Sequence, residues 1–402
     1  MKSLMTGNIF NGIHFKANLE TSIGTTATAE RNTNDSYTVE VNVKVKVPKA
    51  HQQLDELQKL NDKLGAVLPG LAEMLPTAKV SPEFEELYRN KITSLRSNLN
   101  RLDQLLSRHN FYDCETMLDL QHPVTKRKAL LIQADMDVDT DGSDGDRILP
   151  ADGSSRTFQP FTNYHWEKKT PVPNPCVAVW EKRIAENEAK LKDPKNAAEA
   201  PKLKADIARL RSEIKDMQMF SYLVGVADPF IVLPTAMFRK NRDGYTPTIG
   251  DYCVVIMDGT LYPAVVGDKG PQAKMGEASL RICKQINARA NGGNRPINDL
   301  KATYLIFPGT AEKLAPPNLA QWRTRCEALL NEVGGIGGEL FTWQDITQPS
   351  VPPIPPPAPP TAVPPTSPVA PTTIPTQAPA QTTPSIPPTS SPNTAPAPPS
   401  TK

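Results

Sequence analysis

The first 36 residues are polar, rich in Thr, Asn and Ala, and show no clear period. From Tyr37 to Val47 apolar and polar positions alternate strictly, with Val39, Val41, Val43, Val45 and Val47 set against Glu40, Asn42, Lys44 and Lys46. That spacing predicts a half-buried strand, ended by Pro48. After His51 the period changes. Leu54, Leu57, Leu60, Leu64 and Leu68 recur as on one helix face until Pro69-Gly70 interrupts them. Ser81-Pro82-Glu83 then has the makeup of a helix start, with a capping Ser, Pro at the first position and acid in the first turn. Phe84, Leu87, Ile92, Leu95, Leu99, Leu102 and Leu106 supply the apolar face that follows. The two patterns predict an antiparallel helical hairpin over 49–110. Its leucines pack on each other or on the next domain; oligomerisation through a coiled-coil arm is the alternative, for which the heptads are short.

A second helical pair is predicted over 176–219. It is highly charged, with Ile184, Leu191, Leu203, Ile207, Leu210 and Ile214 on its stripe and Pro194 and Pro201 between the halves. It separates two β-rich stretches, Lys128 to Val138 and Pro229 to Phe307, and reads as an insertion between them. In the second stretch Tyr252-Cys253-Val254-Val255-Ile256-Met257 runs into Asp258-Gly259 and then Leu261 to Val266. Asp-Gly readily adopts the positive φ angles of a tight turn, so this is a strong hairpin signal. Several short strands with turn punctuation predict a compact β barrel. A last helix is expected from Asn318 to Val333, with Trp322, Cys326, Leu329 and Leu330 inward.

Composition changes the picture mainly at the C-terminus. Of 402 residues 42 are Pro, and half of these follow Gln348 in a tail with no charge before Lys402. Such a segment cannot bury enough apolar surface to offset ordering and is expected to be disordered or polyproline-like. The expected organisation is therefore a polar segment and strand (1–48), the hairpin (49–110), a catalytic domain (111–346) with its insertion, and the tail (347–402). The net charge of +2, with acids and bases mixed, gives no basic footprint for nucleic acid. No apolar run is long enough for membrane insertion or a Sec leader, so the export route is not legible. Five cysteines are widely spaced without a CxxC pair, which favours buried thiols, with a single bridge left open, over a metal site or disulfide framework. No metal or cofactor is expected.

Chemistry concentrates between Gly250 and Ile282. Gly267-Asp268-Lys269-Gly270 closes one strand, and Met275-Gly276 presents Glu277 a few residues on. Two carboxylates thus sit at strand ends, each beside a glycine that lets a polymer approach the backbone. Glycoside hydrolysis needs such a pair, one to protonate the leaving oxygen and one to activate water or attack carbon. Upstream, Asp137, Asp139, Asp141 and Gly142 match the opening of a calcium loop, but its twelfth position is Ile148 where a bidentate Glu is required. Asp135, Asp137, Asp139 and Asp141 are more simply expected to line an acidic cleft that draws in a polycation, or to cap turns. Tyr164 and Tyr262 are candidates for stacking on sugar rings.

The Gly-Asp strand end followed by Gly-Glu-Ala-Ser resembles the core motif of glycoside hydrolase family 75, the fungal-type chitosanases. Further segments resemble that family in the same order: Ala134 to Gly142, Phe158 to Tyr164, Pro229 to Pro234 and Tyr304 to Gly309. The resemblance covers about residues 110 to 335, interrupted by the charged helical pair. It implies a six-stranded barrel of the double-psi type within a β-rich α+β fold. It also implies endo-acting, inverting hydrolysis of β-1,4 glucosamine linkages in chitosan, with Asp268 and Glu277 as the catalytic pair. Glu277 is the expected general acid and Asp268 the base, with the reverse left open. Family members are typically secreted, so an extracellular location is expected, although no leader is visible and a cytoplasmic one stays open. The alternatives are a non-catalytic polysaccharide-binding or structural protein, and a hydrolase of another amino-sugar polymer such as peptidoglycan.

Overall fold

The computed structural model describes residues 2–10, 13–149, 158–239, 241–293 and 296–349. The proline-rich tail expected to be disordered lies outside these residues from position 350 onward.

Six strands form the centre: β1 (Lys128–Asp139), β2 (Phe230–Pro234), β3 (Tyr252–Met257), β4 (Thr260–Gly270), β5 (Glu277–Ser279) and β6 (Ile297–Ile306). They hydrogen-bond in the order β5-β2-β4-β3-β6-β1, and β5 also pairs with β1, which closes the ring into a mixed barrel. Closure leaves no bare edge among the six. The β3–β4 hairpin turns at Asp258-Gly259, whose φ angles of 50° and 93° meet what a two-residue turn requires. Alternate residues from all six strands, among them Met136, Ile231, Val255, Ala264, Val266, Ala278 and Tyr304, meet in one apolar cluster inside the barrel. The intervening residues face outward. Phe230, Val232, Val254, Val265 and Leu305 pack there under Trp322, Cys326, Leu329 and Leu330 of a helix at Leu319–Glu332, capped by the Asn318 side chain. Each such buried side chain contributes about 1.5–3 kcal/mol.

The N-terminal helical region differs from a simple hairpin. Its second arm is regular: α1 (Pro82–Ser97) is capped by the Ser81 hydroxyl and carries Pro82 in its first turn. Its first arm is broken into short pieces, Leu54–Gln58, Leu64–Val67 and Leu71–Met74. Leu57, Leu64, Leu68 and Leu71 are completely or almost completely buried, but against the barrel's outer face and not against α1. At the break, a Cβ on Gly70 would lie 2.0 Å from the Val333 carbonyl oxygen, so only glycine admits this approach. The strand expected from Tyr37 to Val47 forms no ladder with any described residue, and Val39, Val43 and Val47 are 72%, 37% and 57% exposed. Alternation yields a strand only where an edge and an apolar face are available, and the barrel edges are already paired. A hairpin of Lys2–Phe10 with Ile13–Glu20 forms upstream instead.

The charged pair is α2 (Pro175–Lys192) and α3 (Ala200–Met219), packed on each other through Val177, Trp180, Leu210 and Met217. The two-stranded pairing of His165–Glu167 with Phe220–Tyr222 carries the chain into and out of this excursion. All five cysteines are free thiols, four of them buried.

Candidate active site

The position of Asp268 depends on an irregularity in β4. Parallel to β2, Val266 stands opposite Ile231 and Asp268 opposite Val232, so Gly267 is an extra residue in the ladder. Simple alternation would put Asp268 on the same face as Val266, inside the barrel. The bulge turns it to the outer face with Val232. Gly267 itself has no room for a side chain, since a Cβ there would come within 2.6 Å of the Phe230 Cβ. The segment before the helical insertion fastens the bulge. Tyr164 N–H donates to the Gly267 carbonyl at 2.8 Å, while Asn163 N–H and Lys269 N–H donate to Asp268 Oδ1 at 2.9 and 2.8 Å.

Glu277 opens β5, and its register is fixed on both sides, opposite Val232 of β2 and opposite Asp137 of β1. Gly276 makes the entry at φ 77°, where a Cβ would lie 2.2 Å from the Asp135 carbonyl oxygen. Asp137, Glu277, Val232 and Asp268 therefore form one row across four adjacent strands, with side chains rising from one face. Asp268 and Glu277 are two strands apart, on the order of 10 Å between backbones. Val232 is the floor between them.

Two further acids close in from the end of β1. Asp139 stands opposite Ser279. Its Oδ1 accepts from Asp141 N–H at 2.6 Å, and Asp141 Oδ1 accepts from Gln159 N–H at 2.9 Å. The electrostatics follow from burial and like charge. Burial pushes Asp268 up to about 6 against its two backbone hydrogen bonds, with the Glu277 charge adding to the rise. Burial pushes Asp141 up to about 7, opposed by the Gln159 N–H and reinforced by Asp268 and Glu277. Asp139 is held well above the usual range by burial, then by Glu277 and Asp141. Glu277 is also raised by burial, against the pull of Lys274.

Lys274 brings a cation into contact with this group. Its Nζ donates to Glu277 Oε1 at 2.6 Å and lies 3.5 Å from Asp137 Oδ2. Asp137 is held in turn by Arg108 at 2.5 Å and by His109 at 3.4 Å.

Of the expected site residues, the structure brings Asp268, Glu277, Asp139 and Asp141 together, with Asp137 bound into the ion pairs at their edge. It does not bring Asp135 among them: this residue is fully buried beneath the Gly276 turn, and its carbonyl accepts from Tyr304 Oη. Both expected stacking tyrosines face elsewhere. The Tyr164 ring packs edge-on against Trp166 and Trp322, with its hydroxyl donating to the Ala315 carbonyl, so this segment serves the site through its backbone. Tyr262 stands against Phe341 and Trp343 near the opposite end of β4, roughly 20 Å along the strand from Asp268. Lys274, Asn163, Arg108 and His109 were not expected here. Only Lys274 carries a local signal, three residues ahead of Glu277 in the same loop.

Two mostly buried carboxylates spaced across the outer face of a closed barrel have the makeup of a paired-acid site. The family comparison is specific. The model described as fungal chitosanase of glycosyl hydrolase group 75 matches residues 136–342, just over half of the chain, and the chain belongs to that family. No curated protein matches it. The matched span holds Asp139, Asp141, Asn163, Asp268, Lys274 and Glu277, whereas Arg108 and His109 precede it.

Proposed function

We propose that the protein is an endo-acting chitosanase that cleaves β-1,4 glucosamine linkages with inversion, using Asp268 and Glu277. The observation that carries this is the shared row of Asp268 and Glu277 on either side of Val232, inside the family-matched span. In the reaction one carboxylate takes a proton from water as the water oxygen bonds to the anomeric carbon. The glycosidic carbon–oxygen bond breaks, and the other carboxyl delivers its proton to the leaving oxygen. A carboxyl separation of about 6.5–9.5 Å leaves space for that water, and a two-strand spacing suits it. Asp139 and Asp141 add negative charge beside the pair, which suits a polymer of ammonium-bearing sugars. Among the described residues no helix is long and apolar enough to cross a membrane; chitosan, as an extracellular polymer, implies action outside the cell.

The test is reducing-end release from highly deacetylated chitosan, with proton NMR of the first-formed anomer. Release with initial α-anomer supports the reading. No release by folded protein from chitosan, but release from peptidoglycan or partly acetylated polymer, would move the substrate; binding without release from any would make it a binding module.

A further inference from the structure

Lys274 sits between Glu277 Oε1 at 2.6 Å and Asp137 Oδ2 at 3.5 Å, and is itself mostly buried. The chain Arg108–Asp137–Lys274–Glu277 alternates in sign at each step. Asp268 has a different environment: its Oδ1 is held by two backbone N–H groups, and no ion pair to a side-chain cation is found for it among the described residues. An ammonium in contact with one carboxylate stabilises its ionised form, by one to three pK units at this range. On the hydrolase reading above, we propose that Lys274 is a positioning residue that keeps Glu277 ionised and aimed, which makes Glu277 the base that activates water and Asp268 the acid. This reverses the assignment expected from sequence.

The groups facing Glu277 come from every side. Asp137, Asp139 and Asp141 lie at the end of β1, Asp268 on β4 and Lys274 on its own loop, with the Cys283 thiol and the Tyr304 hydroxyl beneath. Arg108 and His109 lie against Asp137, so removing Lys274 takes away the cation seen in contact with Glu277 and leaves the neighbouring acids. Arg108 acts one link away. By holding Asp137 it leaves the ammonium oriented toward Glu277, and it does so from outside the family-matched span.

The experiment compares Lys274→Met, which keeps length and loses charge, with Lys274→Arg, which keeps charge. Their folding is checked by thermal unfolding. The first readout is the pH profile of kcat/KM on chitosan oligomers, whose acidic limb reports the base and alkaline limb the acid. In Lys274→Met the acidic limb should move up by about one unit or more, with kcat reduced and KM little changed; Lys274→Arg should keep the limb in place. Movement of the alkaline limb instead would make Glu277 the acid and overturn the assignment. A rate loss with both limbs fixed would reduce Lys274 to a structural role. The second readout needs no turnover: carbon-13 NMR titration of the glutamate carboxyls, with Glu277→Gln to assign the resonance. A Glu277 midpoint unchanged in Lys274→Met would sink the proposal even in an active enzyme. Should the wild type fail to hydrolyse chitosan, the hydrolase reading fails, and the titration still decides whether Lys274 controls Glu277.

Discussion

Two clusters of buried acids in this barrel are built on opposite plans. In one, Asp144 and Asp228 share Arg147. The guanidinium donates from Nε to Asp144 at 2.5 Å and through both terminal nitrogens to Asp228 at 2.8 and 2.9 Å, and it stacks over Trp166. Asp228 also accepts Val224 N–H at 2.7 Å. In the other, Asp139, Asp141, Asp268 and Glu277 are buried side by side and repel one another, and Lys274 contacts Glu277. A neutralised cluster fixes two segments of backbone. Burial, reinforced by like charge, raises the pKa values of the second cluster into the range where protons can be exchanged near neutral pH, which suits proton-transfer chemistry. The contrast is one of environment: one set of acids is tied to a guanidinium, the other is crowded with its own kind.

The largest expected effect lies in the repelling cluster. Asp268→Asn and Glu277→Gln should each lower kcat/KM on chitosan by about 10²–10⁴ or more, since each removes one proton-transfer partner. Asp268→Asn should not lose stability, because it relieves repulsion, whereas Glu277→Gln also breaks the Lys274 contact and should lose part of that gain. Urea unfolding beside reducing-end assays checks both; a variant that is inactive because it is unfolded would break the comparison.

In the neutralised cluster the prediction inverts. Arg147→Met should cost about 3–5 kcal/mol of stability, because two buried carboxylates lose their shared partner. The molecules that remain folded should keep their kcat within about threefold, since Arg147 has no part in proton transfer. Urea unfolding and active-site titration measure the two terms. A large loss of kcat with unchanged stability would place Arg147 in the site.

How much of this was legible beforehand follows the range of the interactions. The Asp258-Gly259 turn, the Ser81-Pro82 helix start, the charged insertion and the Gly-flanked Asp268 and Glu277 are encoded within a few residues, and all could be read. The face on which Asp268 emerges could not. It depends on the bulge at Gly267, which is defined only against a partner strand at Phe230–Pro234. Asp137 and Arg108 likewise meet through tertiary packing, 29 positions apart. Two local signals misled or were missed. The valine alternation at Tyr37–Val47 describes a strand that has no partner ladder among the described residues, and Asn11-Gly12 marks in sequence the hairpin that was not expected. Tyr164 shows a subtler gap: the segment was recognised, but its contribution comes from backbone N–H groups that any residue but proline would provide.

The smallest effect is in stability against pH, and it sharpens the contrast most directly. Asp141 is held near 7 and Asp268 near 6, whereas an unfolded Asp titrates at about 3.9. Between those values the folded state binds more protons than the unfolded one, so the cluster's contribution to stability falls as pH rises from about 4 to 7. Below about pH 4 both states are protonated, and above about pH 7 both are ionised, so the dependence is confined to this window. This is the opposite of the usual acid denaturation, in which paired carboxylates lose stability as pH falls. Asp141→Asn should therefore match the wild type near pH 4 and exceed it at pH 7.5 by about 1–3 kcal/mol, less than the full shift because the acids titrate together. Arg147→Met should be destabilised at both values. Urea unfolding at pH 4 and 7.5 separates the two patterns. An Asp141→Asn variant stabilised equally at both would mean that its gain comes from packing, and the raised pKa that distinguishes this cluster would have to be abandoned.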